Sequence, residues 1–474
     1  MSTPHEIYDS PLNASKWGQV AFGPYGKVHI VWEEDYSDSG GSDIFYMNYD
    51  GETWEGPVKL KDSRNINAGM PYICTSQTGA VFVVWNQEDE VYIRQYDPEN
   101  EIWLPDERVA TADYGGVEPG CAADPEGNVY ISWHSYDLGN SYSRAKINGQ
   151  WEAIKKISGN LRSTQQGIAA GKDGQVWMIY REKQPDGEYK IYYSKRTKDT
   201  QWADSKQMNW GGASQTHPHL TVGPDNIPVA TYADIDEHEI IEVWICSIDE
   251  NQNPREMVSP PTFMHYSRVA IDSLGNKHVA WQIGPGDSGA GIRYTNNINK
   301  ALGQWNNPIL MQNSGGEPRL PGIAADDYGN VALVWASAAG TEKNIWFSSL
   351  YPVKIAPPPP PPPAPIPDPP VNLNVDISIR SLRRAPSITY NLDWEKNPTN
   401  TDENVSKYNI YKKENNGEFE LLISLTPDTF SAVFSFQAMN KRIQFGISTG
   451  YLFETGLYAT DETESDIVIF GNQQ

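Results

Sequence analysis

The sequence predicts an all-β fold, namely a seven-bladed β-propeller closed by an N-terminal strand and followed by a small β-sandwich. Three observations predict it: a short motif recurs seven times, no sustained helical periodicity of apolar residues occurs, and a proline-rich segment separates the repeats from a region of different pattern. The 474 residues include 16 Trp, 26 Tyr, 39 Gly and 35 Pro, a composition typical of short strands joined by turns.

The repeated motif is a turn residue followed six positions later by an aromatic residue. The turn residue is glycine in six units and Asn226 in the fifth, and asparagine is the non-glycine residue that best tolerates a left-handed backbone. Successive aromatics are 47 to 54 residues apart, which is the length of a four-stranded propeller blade. The seven pairs are Gly26 and Trp32, Gly79 and Trp85, Gly127 and Trp133, Gly174 and Tyr180, Asn226 and Tyr232, Gly275 and Trp281, and Gly329 and Trp335.

The ends of the repeat region predict how the ring closes. The seventh unit contains only three strand-like segments before Tyr351, and residues 6–12 resemble a fourth strand, so we expect the N-terminus to complete the last blade. The predicted domains are the propeller over residues 1–355, a proline-rich linker over 356–370 in the polyproline II conformation, and a sandwich over 371–474.

Charge and hydropathy exclude some classes of function. The formal net charge is −24, so broad nucleic-acid binding is not expected. No run of 18 apolar residues occurs, which predicts no membrane span, and the three cysteines are expected to be plain buried residues. We expect a secreted or cell-surface protein whose signal peptide is not present in this chain.

The repeats resemble those of bacterial propellers with sialidase-like or BNR-like repeats, over about residues 5–354. The resemblance is carried by the Gly-x-Val-x-x-x-Trp strands and by Trp54, Trp103, Trp151, Trp202 and Trp305. The C-terminal region resembles a fibronectin type III domain through Trp394, Tyr408–Tyr411 and the strand at Glu464-Ser465. The resemblance implies the fold and no specific enzyme family, because complete Asp boxes and a Phe-Arg-Ile-Pro segment are missing.

A ligand site is expected on the face where the loops after each aromatic meet the segments entering each first strand. The position after the aromatic varies although its neighbours repeat, which favours a role in binding over a role in packing. The predicted ligand-binding residues on this face are Glu33, Asn86, His134, Arg162, Arg181, Gln282 and Arg319.

The same face offers groups for catalysis by a polysaccharide lyase or a glycosidase. In a lyase, a neutral His or Tyr would abstract the proton next to a uronate, and Arg would neutralise the carboxylate. Ordinary hydrogen bonding at a solvated channel mouth is the alternative for each group. The candidates are His134, Tyr136, Arg181, His217, His219, Tyr266 and Arg268.

Asp35, Asp38 and Asp43 form a candidate calcium site in an oxygen-rich loop, although the same loop is also typical of a solvated turn. No other cofactor is expected. Three functions stay open. The favoured one is an extracellular or cell-surface binding or scaffold protein that recognises a glycan or a protein partner. The others are a carbohydrate-active enzyme and a structural subunit of a surface assembly.

Overall fold

The structure is a computed structural model of the chain. It describes residues 1–11, 14–36, 41–61, 66–197, 201–208, 214–235, 241–248, 255–259, 264–283, 291–311, 319–339, 342–355, 371–380, 387–395, 405–414, 418, 420–426, 428–437, 443–456, 459–464 and 468–469. The chain divides into two compact units, Met1–Pro357 and Pro358–Gln474. The proline-rich linker predicted for 356–370 lies outside the described residues.

The first unit consists of seven antiparallel sheets, and the strands of each sheet are consecutive in the chain except in the seventh, which also contains β1. After β1 (His5–Tyr8), blade 1 is formed by β2 (Ser15–Phe22), β3 (Val28–Asp35), β4 (Ser42–Tyr49) and β5 (Trp54–Lys61). Blade 2 is formed by β6 (Ala68–Thr75), β7 (Val81–Gln87), β8 (Glu90–Asp97), β9 (Ile102–Trp103) and β10 (Glu107–Ala110). Blade 3 is formed by β11 (Val117–Ala123), β12 (Val129–Ser135), β13 (Asn140–Ile147), β14 (Gln150–Trp151) and β15 (Lys155–Lys156).

Blades 4 to 7 follow the same plan. Blade 4 is formed by β16 (Ser163–Ala170), β17 (Val176–Lys183), β18 (Tyr189–Arg196) and β19 (Lys206–Gln207), and blade 5 by β20 (Ser214–Val222), β21 (Pro228–Ile235), β22 (Ile241–Ser247) and β23 (Glu256–Met257). Blade 6 is formed by β24 (Met264–Ile271), β25 (Lys277–Ile283), β26 (Gly291–Asn296) and β27 (Ile309–Met311). Blade 7 contains β28 (Arg319–Ala325), β29 (Val331–Ala339) and β30 (Glu342–Ser349). Two single 3₁₀ turns, Pro24–Gly26 and Ala112–Tyr114, are the helical segments of the described residues.

The ring closes between the two ends of the propeller. Strand β1 pairs antiparallel with β30, where His5 lies opposite Phe347 and Tyr8 opposite Ile345. The seventh sheet therefore has the order β1-β30-β29-β28, which confirms the predicted seven-bladed propeller and its closure by the N-terminal strand.

The turn between the first two strands of each blade is left-handed, as predicted. The six glycines have φ between 76° and 90°, and Asn226 has φ of 62°. The Asn226 side chain also reaches the neighbouring turn of blade 4, because its Oδ1 accepts from the backbone amides of Lys172 (2.8 Å) and Asp173 (3.3 Å).

The core lies between adjacent blades. All seven repeated aromatics are at most 1% exposed. Trp133 of blade 3, for example, belongs to one apolar cluster with Val84 and Val109 of blade 2. Burial of such large rings at every blade interface supplies much of the stability of the ring. The three cysteines, Cys74, Cys121 and Cys246, are free thiols.

The second unit is also built of strands. They are β31 (Val371–Arg380), β32 (Ser387–Glu395), β33 (Val405–Glu414), β34 (Glu420–Leu425), β35 (Ser431–Gln437), β36 (Ile443–Gly456), β37 (Ala459–Glu464) and β38 (Val468–Ile469). One sheet has the order β31-β32-β35, and the other has the order β34-β33-β36-β37, with β38 also on β36. Trp394 and Tyr408 are buried and their rings meet edge to face, 5.8 Å apart. Within the described parts of both units, no helix has the length and apolarity needed to cross a membrane.

Candidate functional site

Every blade of the propeller carries a β-bulge at the same place in its first strand. The pairing register shifts there, and the residue nine positions before the turn residue has a left-handed backbone with φ between 47° and 54°. Such a backbone costs a non-glycine residue about 1 to 2 kcal/mol, so seven occurrences indicate a geometric requirement of the fold. These residues, here called the bulge ring, are Trp17, Met70, Glu118, Gln165, His217, Tyr266 and Leu320.

The bulge ring surrounds the channel mouth on the face opposite to the glycine turns, since the turn lies at the other end of the same strand. Six of its members, all except Leu320, line a cavity of about 70 Å³. A space of this size accepts a small polar group of a ligand, such as a carboxylate.

The floor of the cavity is a hydrogen bond across the channel. Tyr72 Oη of blade 2 lies 3.2 Å from His219 Nε2 of blade 5. The Val269 amide donates to His219 Nδ1 (3.2 Å), so the proton of this histidine is on Nε2 and is donated to Tyr72. Burial lowers the pKa of His219 well below its usual value, and burial raises the pKa of Tyr72 to about 12. The predicted candidate His219 therefore lies in the floor with both nitrogens engaged.

Arg268 lines the cavity and contributes a positive charge to it. Its Nη1 donates to the carbonyl of Ser267 (3.2 Å), whereas its Nε is buried and has no hydrogen-bond partner among the described residues. Burial lowers the pKa of the guanidinium, which stays cationic at neutral pH because the usual value is so high. A buried donor without a partner is costly, and an anionic ligand would remove that cost.

Glu118 is the one acidic member of the bulge ring. Burial raises the pKa of its carboxyl, and the charges of Arg268 and Arg181 oppose that rise. The positive charges of two arginines therefore act on the Glu118 carboxylate at the channel mouth.

Arg181 is held rigidly beside the ring. Its Nε donates to Thr164 Oγ1 (3.0 Å), its Nη1 donates to Thr216 Oγ1, and its guanidinium lies 4.2 Å from the centre of the Tyr189 ring. The two hydrogen bonds engage two of the five N–H donors of the guanidinium and fix its position, so Arg181 contributes a positive charge beside the bulge ring.

The aromatic members of the ring contact one another. The rings of His217 and Tyr266 meet edge to face with centres 4.4 Å apart, and Trp17 lies edge to face with Tyr266 at 6.4 Å. His217 is also tied to its neighbours, because its amide donates to Gln165 Oε1 (2.8 Å) and its Nδ1 lies 3.1 Å from Thr216 Oγ1.

His134 lies behind the cavity and does not line it. Gln166 Nε2 donates to the Glu118 carbonyl, which turns Gln166 Oε1 toward His134 Nδ1 at 2.8 Å. The proton of His134 is therefore on Nδ1, while Nε2 is buried without a partner among the described residues. Burial lowers the pKa of His134 to about 4, so the ring is neutral at neutral pH. Tyr136, half of whose surface is exposed, meets the His134 ring edge to face at 4.8 Å.

Two of the predicted ligand-binding residues hold the bulge of the next blade. Glu33 accepts from the Met70 amide (3.0 Å), and Gln282 accepts from the Leu320 amide (3.0 Å). Burial raises the pKa of the Glu33 carboxyl, a change opposed by this amide. In these two blades the residue after the repeated aromatic thus fixes the backbone of a bulge-ring residue in the next blade.

The remaining predicted residues lie farther from the cavity or outside the described residues. Arg162 is exposed and does not line the cavity, and Asn86 is half-buried with an Oδ1 that has no partner among the described residues. The Arg319 side chain lies outside the described residues, although its backbone begins β28.

The candidate calcium loop is only partly described, since Asp38 lies outside the described residues. Asp43 is fully buried against Lys59 Nζ (2.7 Å) and the Tyr36 hydroxyl, and Asp35 pairs with Lys16. The described part of the chain contains no cluster of three metal-binding side chains. Calcium binding stays a prediction.

Sequence reasoning had found His217, Tyr266 and Arg268 but not Trp17, Met70 or Glu118. A usable signal was present, because counting nine residues back from each turn residue gives the whole bulge ring. Four of these positions also precede a proline, and proline within a sheet is confined to edges and bulges. The four prolines are Pro71, Pro119, Pro218 and Pro321.

No protein-family model matches the sequence, and no curated protein matches it. Solved structures do match. One is a protein of unknown function from Dyadobacter fermentans DSM 18053, 12% identical, with a TM-score of 0.46 over 74% of this chain and 99% of that one. A PL25 ulvan lyase bound to -[GlcA(1-4)Rha3S]- is 10% identical, with a TM-score of 0.49 over 73% of this chain and 93% of that one.

The Hadza microbial sialidase Hz136 is 12% identical, with a TM-score of 0.41 over 71% of this chain and 65% of that one. The chain thus has sialidase and polysaccharide lyase structures among its structural neighbours, without a match to any family. At these identities the neighbours do not assign a function to the residues of the bulge ring.

Proposed function

We propose that the protein is a glycan-binding protein that recognises an acidic saccharide at the channel mouth. The observation that carries the proposal is the bulge ring, which directs aromatic and hydrogen-bonding side chains from six blades into one cavity. Aromatic faces pack against the C–H faces of sugars, and convergent polar groups select among their substituents.

The charge of the site selects the class of saccharide. The cavity has room for a carboxylate, and Arg268 offers a buried donor that no described protein group uses. A carboxylate of the ligand would accept from Arg268 at the floor, while the sugar ring would lie above it against Trp17 and Tyr266.

The placement of the histidines favours binding over catalysis. A lyase base must face its substrate, but the unprotonated Nε2 of His134 is buried and His134 does not line the cavity, and both nitrogens of His219 are bonded. His217 lines the cavity and is the group that a catalytic role would require.

The proposal extends to an extracellular or cell-surface location and to a fibronectin type III-like C-terminal unit. The unit is supported by its two sheets, one of the first, second and fifth strands and one built around the third and sixth, and by the buried Trp394.

The experiment is a glycan array probed with the full chain, followed by calorimetric titration of the acidic oligosaccharides that bind. Arg268→Gln should weaken binding at least tenfold, and Tyr351→Ala, which removes an exposed tyrosine outside the cavity, should leave it unchanged. Binding confined to proteins or to neutral glycans, or equal loss in both variants, would refute the proposal. Release of an unsaturated product that Tyr266→Phe or His217→Gln abolishes would establish the lyase instead.

A further inference from the structure

A second polar network of the propeller opens onto a groove on the side of blades 1 and 2, away from the bulge ring. The groove has a volume of about 510 Å³ and is lined by residues of both blades, including His29, Tyr46, Asn48 and Trp103. It shares no lining residue with the bulge ring.

Blade 6 shows the same network in a closed form. His278 Nδ1 lies 2.7 Å from Tyr294 Oη, and Asn296 Nδ2 donates to the same hydroxyl at 3.2 Å. Both ends are satisfied by protein, because His278 Nε2 lies 3.3 Å from Asp272 Oδ2 and Asn296 Oδ1 accepts from the Asn306 side chain at 2.7 Å. The His278, Tyr294 and Asn296 side chains are therefore bonded to protein at both ends of the network.

Blade 1 repeats the network with both ends open. His29 Nδ1 lies 2.6 Å from Tyr46 Oη, and Asn48, two residues after Tyr46 as Asn296 is after Tyr294, lines the same groove. The residue three positions before the turn is Gly23, where blade 6 has Asp272, so His29 Nε2 has no acceptor among the described residues.

The other end of the blade 1 network is the amide oxygen of Asn48. This Oδ1 is buried and has no hydrogen-bond partner among the described residues. Burial keeps the His29 ring neutral, so Nε2 is a donor or an acceptor according to which nitrogen carries the proton. The groove therefore offers two hydrogen-bonding atoms, His29 Nε2 and Asn48 Oδ1, whose counterparts in blade 6 are bonded to protein.

The remaining lining indicates what would bind. Trp103 stands edge to face with Tyr46 (4.9 Å) and with Tyr96 (5.6 Å), which fixes its ring. The charged side chains at the groove are Lys27, Glu55 and Glu101, a net charge of −1 that disfavours an anion. The groove combines aromatic rings with hydrogen-bonding groups that have no protein partner among the described residues, and it has no net positive charge. This combination is typical of a site for sugar hydroxyls.

We propose that the groove between blades 1 and 2 is a second binding site, which takes a neutral saccharide through the His29–Tyr46–Asn48 network and the aromatic wall of Trp103. The protein would then hold an acidic sugar at the channel mouth and a neutral sugar on its side. This site does not depend on the proposed function, because its residues are separate from the bulge ring.

The first test uses the homologous networks as matched variants. The full chain is titrated with the neutral oligosaccharides that bind on a glycan array, and folding is checked by the thermal midpoint. Asn48→Ala should weaken binding about tenfold, since it removes the free acceptor, whereas Asn296→Ala should not. Arg268→Gln should also have no effect, which separates this site from the channel mouth.

The second test keeps the inference testable if Asn48→Ala is unstable. Tyr25 lines the groove with a left-handed backbone at φ of 64°, so Tyr25→Gly removes its ring and relieves strain. Tyr328 occupies the same position of blade 7 without lining the groove, so Tyr328→Gly is the control. We expect at least threefold weaker binding for Tyr25→Gly alone. Absence of any neutral ligand, or equal affinities in all five variants, would overturn the inference.

Discussion

Tyr72 Oη and His219 Nε2 lie 3.2 Å apart and join blade 2 to blade 5 across the channel. Most contacts of the ring join neighbouring blades, so this bond is a direct connection through the centre. It also separates the cavity of the bulge ring from the rest of the channel and gives the cavity a floor.

Loss of this bond should destabilise the propeller. Tyr72→Phe leaves the buried Nε2–H of His219 without an acceptor, which costs about 1 to 3 kcal/mol of unfolding free energy. We expect a lower thermal midpoint for Tyr72→Phe and no change for Tyr328→Phe, whose ring is partly exposed. Equal midpoints for the two variants would contradict the assignment of the floor.

Glu118 should make the binding of an acidic ligand depend on pH. Burial raises the pKa of its carboxyl above the ordinary 4.5, so it gains a proton as the pH falls from neutral while a sugar carboxylate is still ionised. Protonation removes the negative charge that faces the ligand, so affinity should rise over this range. Calorimetric titration at falling pH measures it in the wild type, in Glu118→Gln and in His217→Gln, because the imidazole of His217 lines the same cavity. Glu118→Gln should reduce the rise, and a rise of wild-type size in this variant would exclude Glu118 as its source.

The sequence predicted the blades well because each requirement is local. Gly79 and Asn226 mark a left-handed turn, and Trp85 marks a ring buried between blades; both requirements recur at fixed spacing. The N-terminal strand could also be predicted, because one unit lacked its fourth strand.

The site could be predicted only in part. Its face and several of its residues followed from the repeat, but which side chains enter the cavity depends on the bulge, which reverses the direction expected from simple strand alternation. Glu33 and Gln282, which were predicted to bind the ligand, accept hydrogen bonds from the amides of Met70 and Leu320, and their contact with a ligand stays a prediction.

Asn226 should be preferred at its turn for two reasons that substitution can separate. Asn226→Gly keeps the left-handed backbone but loses the bonds to the amides of Lys172 and Asp173, a loss of about 1 kcal/mol. Asn226→Ala loses the bonds and also strains the backbone, by about 1 kcal/mol more. Urea unfolding should therefore rank the wild type above Asn226→Gly and Asn226→Ala last. The order would be reversed if the left-handed backbone were not required.

The buried histidines should make the propeller sensitive to acid. The pKa of His134 is lowered to about 4 in the folded protein against an ordinary 6.5, so the unfolded chain binds the proton more readily. Stability is then fully present above pH 6.5 and is lost as the pH falls toward 4, by up to about 3 kcal/mol for this residue.

His134→Gln tests this acid sensitivity, because it removes the titrating group while keeping an amide beside Gln166. Unfolding midpoints measured between pH 7 and pH 4 should fall less steeply in His134→Gln than in the wild type. His5→Gln, at an exposed histidine of β1, is the control and should keep the wild-type slope. An unchanged slope in His134→Gln would contradict the burial of a neutral imidazole.

The central claim is that the bulge ring binds an acidic saccharide through Arg268. A crystal structure of the full chain with a bound acidic oligosaccharide tests it most directly. The account predicts a carboxylate oxygen within hydrogen-bonding distance of Arg268 Nε and a sugar ring against Trp17 and Tyr266. A ligand bound elsewhere with the cavity filled by water, or a hydroxyl in place of the carboxylate at Arg268, would contradict it.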